Sequence, residues 1–481
     1  MAVKRSSSII PIQDFNMGGL SDSKWSGVKN SLYKMVGWDP HSKPGILKVA
    51  QAMAKDSSTT VTALCRVAVN SSNGSQYWFS YTDGKIWERP SAGTFRLVYT
   101  TTPSVGTAGC LGALEYQGRI YWTTQSRLHY ITVANADDND WSTDAQEDFA
   151  TFGVTDTAFH PMIIQNQVLY IGDGNQVAQV DETTFSANAL DIATPLRIKS
   201  LGKISTDLLI GTYVSDNITK TEILRWNTYS VSFTSSDEIP EVGINSFIPS
   251  DNFVLVQAGN QGNIYYYDGI KLELYMKIPG DWSPTAYGEV YPNAVANANG
   301  QILFGLSNGS GNPADQGLYR IARHSRNHPL IMDFPYPISE RSTGALVTSS
   351  IEIGAILVVG NDIYCSWKNS TTYGVDKLNW SAKLTLAYLE TRVMVQNREG
   401  YSNYSNFTVA YSSMPANCSL SLLYDKNYEG YVAFSNEVDD TARNVVYAED
   451  GVEATTFQLK ISATVSGNTA PEIEGAVIIT N

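Results

Sequence analysis

The feature that most constrains this chain is a hairpin pattern that recurs seven times between about residue 60 and residue 380. Its clearest copy runs Gln165-Asn166-Gln167-Val168-Leu169-Tyr170-Ile171-Gly172-Asp173-Gly174-Asn175-Gln176-Val177-Ala178-Gln179-Val180-Asp181. A polar turn opens a short apolar strand, and a second Gly/Asp/Asn turn leads into another. Gly and Asn tolerate positive φ, while Val, Ile and Tyr suit a pleated, half-buried surface, so the pattern spells a β-meander.

Taking the first strand residue of each copy gives Tyr77, Ile120, Val168, Leu208, Ile264, Ile302 and Ile363. The mean spacing is near 48 residues. Repeats of roughly 40–50 residues with several strands each are the signature of propeller blades. A four-stranded blade cannot bury both of its faces alone, and radial stacking covers them. The expectation is therefore an all-β chain with a β-propeller of about seven blades. A long β-sandwich, or several small β domains, would also give closely spaced strands.

Composition agrees with that class. Charged residues make up 17% of the chain, and amphipathic helical stretches are nearly absent. The net charge of −14 and pI near 4.8 argue against a broad basic grip on nucleic acid. Charge is uneven: residues 1–50 hold seven Lys/Arg against three Asp/Glu, and the remainder carries −18. The N-terminus shows no apolar signal region, and no run of about 18 apolar residues occurs. Cys65, Cys110, Cys365 and Cys418 are isolated, as free thiols of a reducing compartment would be. Sequons such as Asn217-Ile218-Thr219 carry no weight without a secretory route.

Three segments follow. Residues 1–58 form an aromatic, Gly-punctuated arm, with a short helix expected around 27–36 and a ring-closing strand in Ile46-Leu47-Lys48-Val49. Residues 59–382 form the propeller. From residue 383 the period disappears, and longer alternating strands such as Thr456-Phe457-Gln458-Leu459-Lys460-Ile461 describe a C-terminal β-sandwich-like module over 383–481.

Chemistry is hard to find. His324 and His328 sit four apart, but Pro329 and the surrounding loop residues oppose the helix that such a zinc face needs. The acidic run Asp137-Asp138-Asn139-Asp140-Trp141-Ser142-Thr143-Asp144 lacks the Gly and closing Glu of a calcium loop. Thr82-Asp83-Gly84-Lys85-Ile86-Trp87 resembles a compressed Asp-box hairpin, which is a structural turn. No nucleophile elbow, P-loop or dinucleotide fingerprint appears. The expectation is a protein that is not an enzyme, with no catalytic residues, metal or cofactor.

Several motifs together resemble a known layout. Met17-Gly18-Gly19-Leu20 precedes Lys43-Pro44-Gly45-Ile46-Leu47, then come turns such as Ile171-Gly172-Asp173-Gly174-Asn175. The chain ends with Phe457-Gln458-Leu459-Lys460-Ile461 and Ala470-Pro471-Glu472-Ile473-Glu474-Gly475-Ala476-Val477. This resembles the β-propeller tail-hub or nozzle proteins of short-tailed bacteriophages, the packaged-DNA stabilisation group. The resemblance implies a non-enzymatic virion part assembled in the host cytoplasm, usually six copies ringing the axis below portal and adaptor. Its neighbours would be those proteins and the tail-fibre or tail-tip proteins, with no membrane insertion. An acidic wall would let double-stranded DNA slide without specific binding.

On that reading, Lys24, Trp25, Lys29, Tyr33, Lys34 and Trp38 of the arm are the candidate subunit-interface residues, since aromatics and cations anchor interfaces. The same aromatics would equally serve to staple the arm to its own domain. A different reading is a receptor- or glycan-binding propeller, or a glycan-cleaving one, with the 28 Tyr and 10 Trp as stacking platforms.

Overall fold

The structure is a computed structural model. It describes residues 8–57, 60–137, 140–154, 157–214, 221–250, 252–280, 282–283, 288–298, 300–308, 317–341, 350–395, 402–434 and 444–480. Two compact units emerge, and neither is contiguous. One comprises Lys55–Pro313 and Thr348–Lys377, the other Met1–Ala54, Ala314–Val347 and Leu378–Asn481.

The first unit is a six-bladed β-propeller. Five blades are four-stranded antiparallel meanders, beginning with Cys65–Val69, Gly112–Tyr116, Met162–Gln165, Arg197–Ile204 and Ile244–Pro249. The sixth is built on Ile351–Val359, Asp362–Asn369 and Thr372–Lys383. First strands pack against first strands from blade one to blade five, and Ile351–Val359 meets Cys65–Val69 to close the ring.

Period-two geometry explains why the second strands read as unbroken apolar runs. Trp78 packs into a cluster with Ala355, Tyr364 and Val375 of the sixth blade. Its neighbours Tyr77 and Phe79 pack with Ile120 and Trp122 of the second. Alternate side chains thus serve opposite neighbouring blades, and both faces are buried. Close approach also selects glycine: a Cβ on Gly112 would lie 2.1 Å from the His160 carbonyl oxygen, and one on Gly354 2.6 Å from that of Cys65. The tight turns follow the expected chemistry, with positive φ at Gln117 and Gly118 and at Asn166 and Gln167.

The blade count is six, against the expected seven or so. The copy at Ile302 is a two-stranded hairpin in this unit, Val295–Ala298 with Gln301–Gly305, set between the first strands of blades five and six. The strands next in the chain, Gly317–Ala322 and Ile331–Pro337, fall in the other unit. A hairpin signal announces two strands and does not say in which unit the following pair will lie. The copy at Ile264 marks the third strand of its blade, Asn263–Tyr267, where the other copies of complete blades mark the second.

The second unit is a two-sheet sandwich. One sheet centres on Glu472–Thr480, with Ser402–Tyr411 along one edge and Ser8–Ile12 and Leu47–Val49 along the other. The second sheet runs Ile331–Pro337, Leu32–Val36, Ala387–Thr391, Phe457–Thr464, Ser419–Lys426. Trp38, Leu389, Phe407, Phe457, Ile461 and Ile478 share one buried core.

Three expectations need correction. Residues 1–58 and 383–481, expected as separate arm and module, lie largely in one unit, because N-terminal strands pair with C-terminal ones hundreds of residues away. Residues 27–36 hold a turn and the strand Leu32–Val36 in place of a helix; pairing with Ala387–Thr391 overrides any local helical preference. Leu47–Val49 is a strand, but its partners are Trp38–Asp39 and Glu472–Thr480. The arm strand in the sixth blade's sheet is instead Gln51–Lys55, beside Thr372–Lys383, and just beyond it the N–H groups of Asp56 and Ser57 donate to the Val375 carbonyl.

Candidate interaction surface

Residues 21–31 form a loop fixed by its own serines. Ser21 Oγ donates to the Ser26 carbonyl at 2.7 Å, Ser31 Oγ to that of Val28 at 2.7 Å, and the Trp25 N–H donates to Ser23 Oγ at 3.2 Å. The Val393 N–H donates to the Lys24 carbonyl at 2.8 Å, tying the loop to the chain just beyond Ala387–Thr391. Hydroxyls answering local backbone groups are what make such irregular chain regular in practice.

This fixed loop holds large apolar groups in solvent: Trp25 is 57% exposed and Val28 68%. Trp25 meets Tyr428, itself 49% exposed, with ring centroids 5.5 Å apart. Tyr428 sits at φ +61 in the turn after Ser419–Lys426, a conformation disfavoured for a bulky side chain. Asn427 holds that turn, its Oδ1 accepting from the Thr455 N–H at 2.9 Å. Lys24 Nζ lies 5.1 Å from the Tyr428 ring centroid and 5.9 Å from that of Tyr33, over which Lys34 also lies at 6.0 Å.

The six residues singled out from sequence thus divide. Lys24, Trp25, Tyr33 and Lys34 come together, and Lys29 lies exposed in the same loop. Trp38 does not belong with them: it is fully buried in the sandwich core and staples the arm to its own unit. Tyr428, nearly 400 residues away, was missed because only the fold brings it there. Beside the loop a cleft of about 90 Å³ is lined by Ile10, Ile12, Leu32 and Met394, with Asn30 and Arg392 among its polar groups. Arg392 Nε reaches the Ser31 carbonyl only at 3.4 Å.

A second convergence of charged and aromatic groups lies in the propeller. Arg66, Lys199 and Glu352 each stand within three residues of the start of an innermost strand. The Arg66 guanidinium lies 4.7 Å from the Tyr81 ring and 5.5 Å from that of Tyr291, and donates to the Gly354 carbonyl at 2.8 Å. Lys199 pairs with Glu289 at 2.5 Å and Lys368 with Glu352 at 2.6 Å. Burial first, then Glu289 and Glu352, push the Tyr291 phenol up, so it stays protonated. With its lysines paired, the cluster ties first and sixth blades together and offers hydrogen bonds with little net charge.

The remaining sequence candidates are engaged locally. His324 Nδ1 lies 2.6 Å from the His41 carbonyl, and His328 Nδ1 2.7 Å from Ser325 Oγ. Asp137 accepts from Asn70 and Asp144 from Asn135, while Asp138 and Asn139 of that run, like Asn217-Ile218-Thr219, lie outside the described residues. Asp83-Gly84 is the turn into Lys85–Arg89. Among the described residues no three His, Cys, Asp or Glu side chains group as metal ligands, and no helix is long and apolar enough to cross a membrane. All four cysteines are buried and free.

His129 supplies a pH prediction. Its ring is buried against Trp122, Nδ1 accepts from the Asp148 N–H at 3.1 Å, and Nε2–H faces Thr124 Oγ1 at 3.0 Å. That arrangement needs the neutral ring, and burial pushes its pKa down to about 4. An unfolded histidine titrates near 6.5, so the unfolded chain gains the proton first as pH falls. Stability should decline from about pH 6.5 and have lost roughly 3 kcal/mol from this group by pH 4. Chemical denaturation across that range, against His129→Gln, checks it: a His129→Gln curve with the same slope would sink the assignment.

No protein-family model matches the chain, and no curated protein matches it. Solved structures do resemble it. The extracellular domain of a putative hybrid two-component system from B. thetaiotaomicron aligns at 13% identity with a TM-score of 0.47, over 80% of this chain and 46% of that one. The chain therefore spans about half the length of that neighbour. Virginiamycin B lyase from Staphylococcus aureus aligns at 12% identity and TM-score 0.46, covering 68% of this chain and 98% of the lyase.

Proposed function

We propose that this protein is a non-enzymatic structural part of a short-tailed phage virion, several copies of which ring the tail axis below portal and adaptor. The observation that carries the reading is the stapled loop of residues 21–31, which holds Trp25 and Val28 in solvent beside Tyr428. Soluble proteins rarely fix large apolar groups outward without a partner surface to receive them. The motif resemblance from Met17-Gly18-Gly19-Leu20 to the C-terminal strands supports the same reading. An acidic propeller suits a wall past which DNA slides without specific binding.

A glycan-binding propeller is the second reading, favoured by the Tyr81–Arg66–Tyr291 stack and the paired carboxylates around it. Gold-labelled antibody against this protein, imaged by electron microscopy on intact virions, separates the two. Label on the tail axis with ring-shaped density is the expected result. Labelling absent from virions, together with polysaccharide binding by the purified protein, would replace the first reading by the second.

A further inference from the structure

Charge is divided between the units far more sharply than along the sequence. The propeller unit holds 16 Lys/Arg against 29 Asp/Glu, a net −13, while the sandwich unit holds 17 against 18. Within the propeller the bias reaches the outer rim. The outermost strands of blades two to five, Gln146–Thr151, Thr184–Asp191, Ser235–Ile239 and Leu272–Lys277, carry Glu147, Asp148, Asp191, Asp237, Glu238 and Glu273 against Lys277, with Arg127 paired to Asp148 and Lys271 to Glu273 from outside these strands. Edge strands use charge to prevent strand addition, but either sign serves that purpose. A run of one sign over four blades needs another reason.

We infer that the Trp25–Tyr428 surface of one copy docks on the acidic outer rim of propeller blades two to five of a second copy. The aromatic pair and Val28 supply the anchor that is desolvated on docking, and Lys24, Lys29 and Lys34 supply the cationic rim. Arg392, beside the apolar cleft, receives a rim carboxylate. The serine staples and the Asn427-held turn fix this surface in advance, so little conformational freedom is lost on docking. Because the two faces are different surfaces of one chain, the contact is heterologous, and heterologous contacts build rings or open filaments, not closed pairs. This deepens the assembly reading, resting on it only for the claim that the product is a ring in a virion.

Truncation cannot test the inference, since removing residues 1–40 would also take Ser8–Ile12 and Leu32–Val36 out of the sandwich. Sedimentation velocity on the full chain does so, at ~50 and ~500 mM salt. The expected result is reversible self-association at low salt that weakens at high salt. Trp25→Ala and Lys29→Glu should each weaken it by ~tenfold or more with unchanged thermal unfolding. Adding Glu238→Lys and Asp237→Lys to Lys29→Glu should recover part of the loss. A wild-type chain that stays monomeric at low salt, or association indifferent to both Trp25→Ala and Lys29→Glu, would overturn the inference. Association by this surface with no label on virions would instead sink the virion reading alone.

Discussion

Arg320→Met should destabilise the sandwich unit by about 3–5 kcal/mol, one of the two largest single-residue effects expected in this protein. Arg320 lies on Gly317–Ala322 directly opposite Asp333 on Ile331–Pro337, and both side chains are out of solvent, at 2% and 0% exposure. Nε donates to Asp333 Oδ1 at 3.1 Å, and Nη2 reaches Asp39 Oδ1 at 2.6 Å. Burial alone would raise the Asp39 carboxyl; Arg320 overrides it and holds the group below its usual range. His41 adds its ring, Nε2 lying 3.7 Å from Asp333. Removing the guanidinium strands a carboxylate in the interior, and that stranded charge is the source of the cost. The double variant Arg320→Met with Asp333→Leu should therefore recover much of the loss. Urea unfolding followed on the sandwich unit's own transition decides it. A loss below about 1 kcal/mol for Arg320→Met would mean that the network is not what joins these strands.

Trp38→Ala should cost about 3–5 kcal/mol in the same unit, while Trp25→Ala leaves stability nearly unchanged. The two tryptophans lie thirteen positions apart in one arm and look alike in sequence, yet Trp38 fills the core with Leu47, Leu389 and Phe407. The Trp38 indole N–H meets no acceptor among the described residues, so Trp38→Phe should keep most of the stability that Trp38→Ala loses. If Trp38→Phe proved as damaging as Trp38→Ala, the indole would be doing more than filling space. Conversely, Trp38→Ala at a temperature where it stays folded should still self-associate, because its side chain does not reach the docking surface.

The contrast between these residues marks how far local pattern reaches. Turn chemistry and apolar runs at Tyr77, Ile120, Val168 and Leu208 located second strands of blades correctly, since each strand sees its neighbours through a few residues of chain. The copy at Ile264 falls one strand late: no glycine precedes Val254–Ala258 at Asn252-Phe253, so Gln261-Gly262-Asn263 is the clearer sequence signal. The free state of the cysteines was equally legible from their isolation, and the structure buries all four. The arm was not legible as part of a core. Its strands are short and irregular, and their partners, such as Glu472–Thr480, give no local sign of being partners.

The candidate surface divides in the same way. Lys24, Trp25, Lys29, Tyr33 and Lys34 stood out by residue type, because a cluster of aromatics and lysines in an acidic chain is a compositional fact. Tyr428, Arg392 and the acidic rim did not, because they are assembled by pairing across hundreds of residues. By itself the sequence determined the strand-and-turn grammar, hence an all-β propeller, since backbone dihedrals and period-two burial are properties of neighbours in the chain. Only the tertiary structure decided the number of blades, the union of both termini in one sandwich and which tryptophan faces solvent. Those depend on which edges find each other, and edge pairing is settled by burial summed over the whole fold.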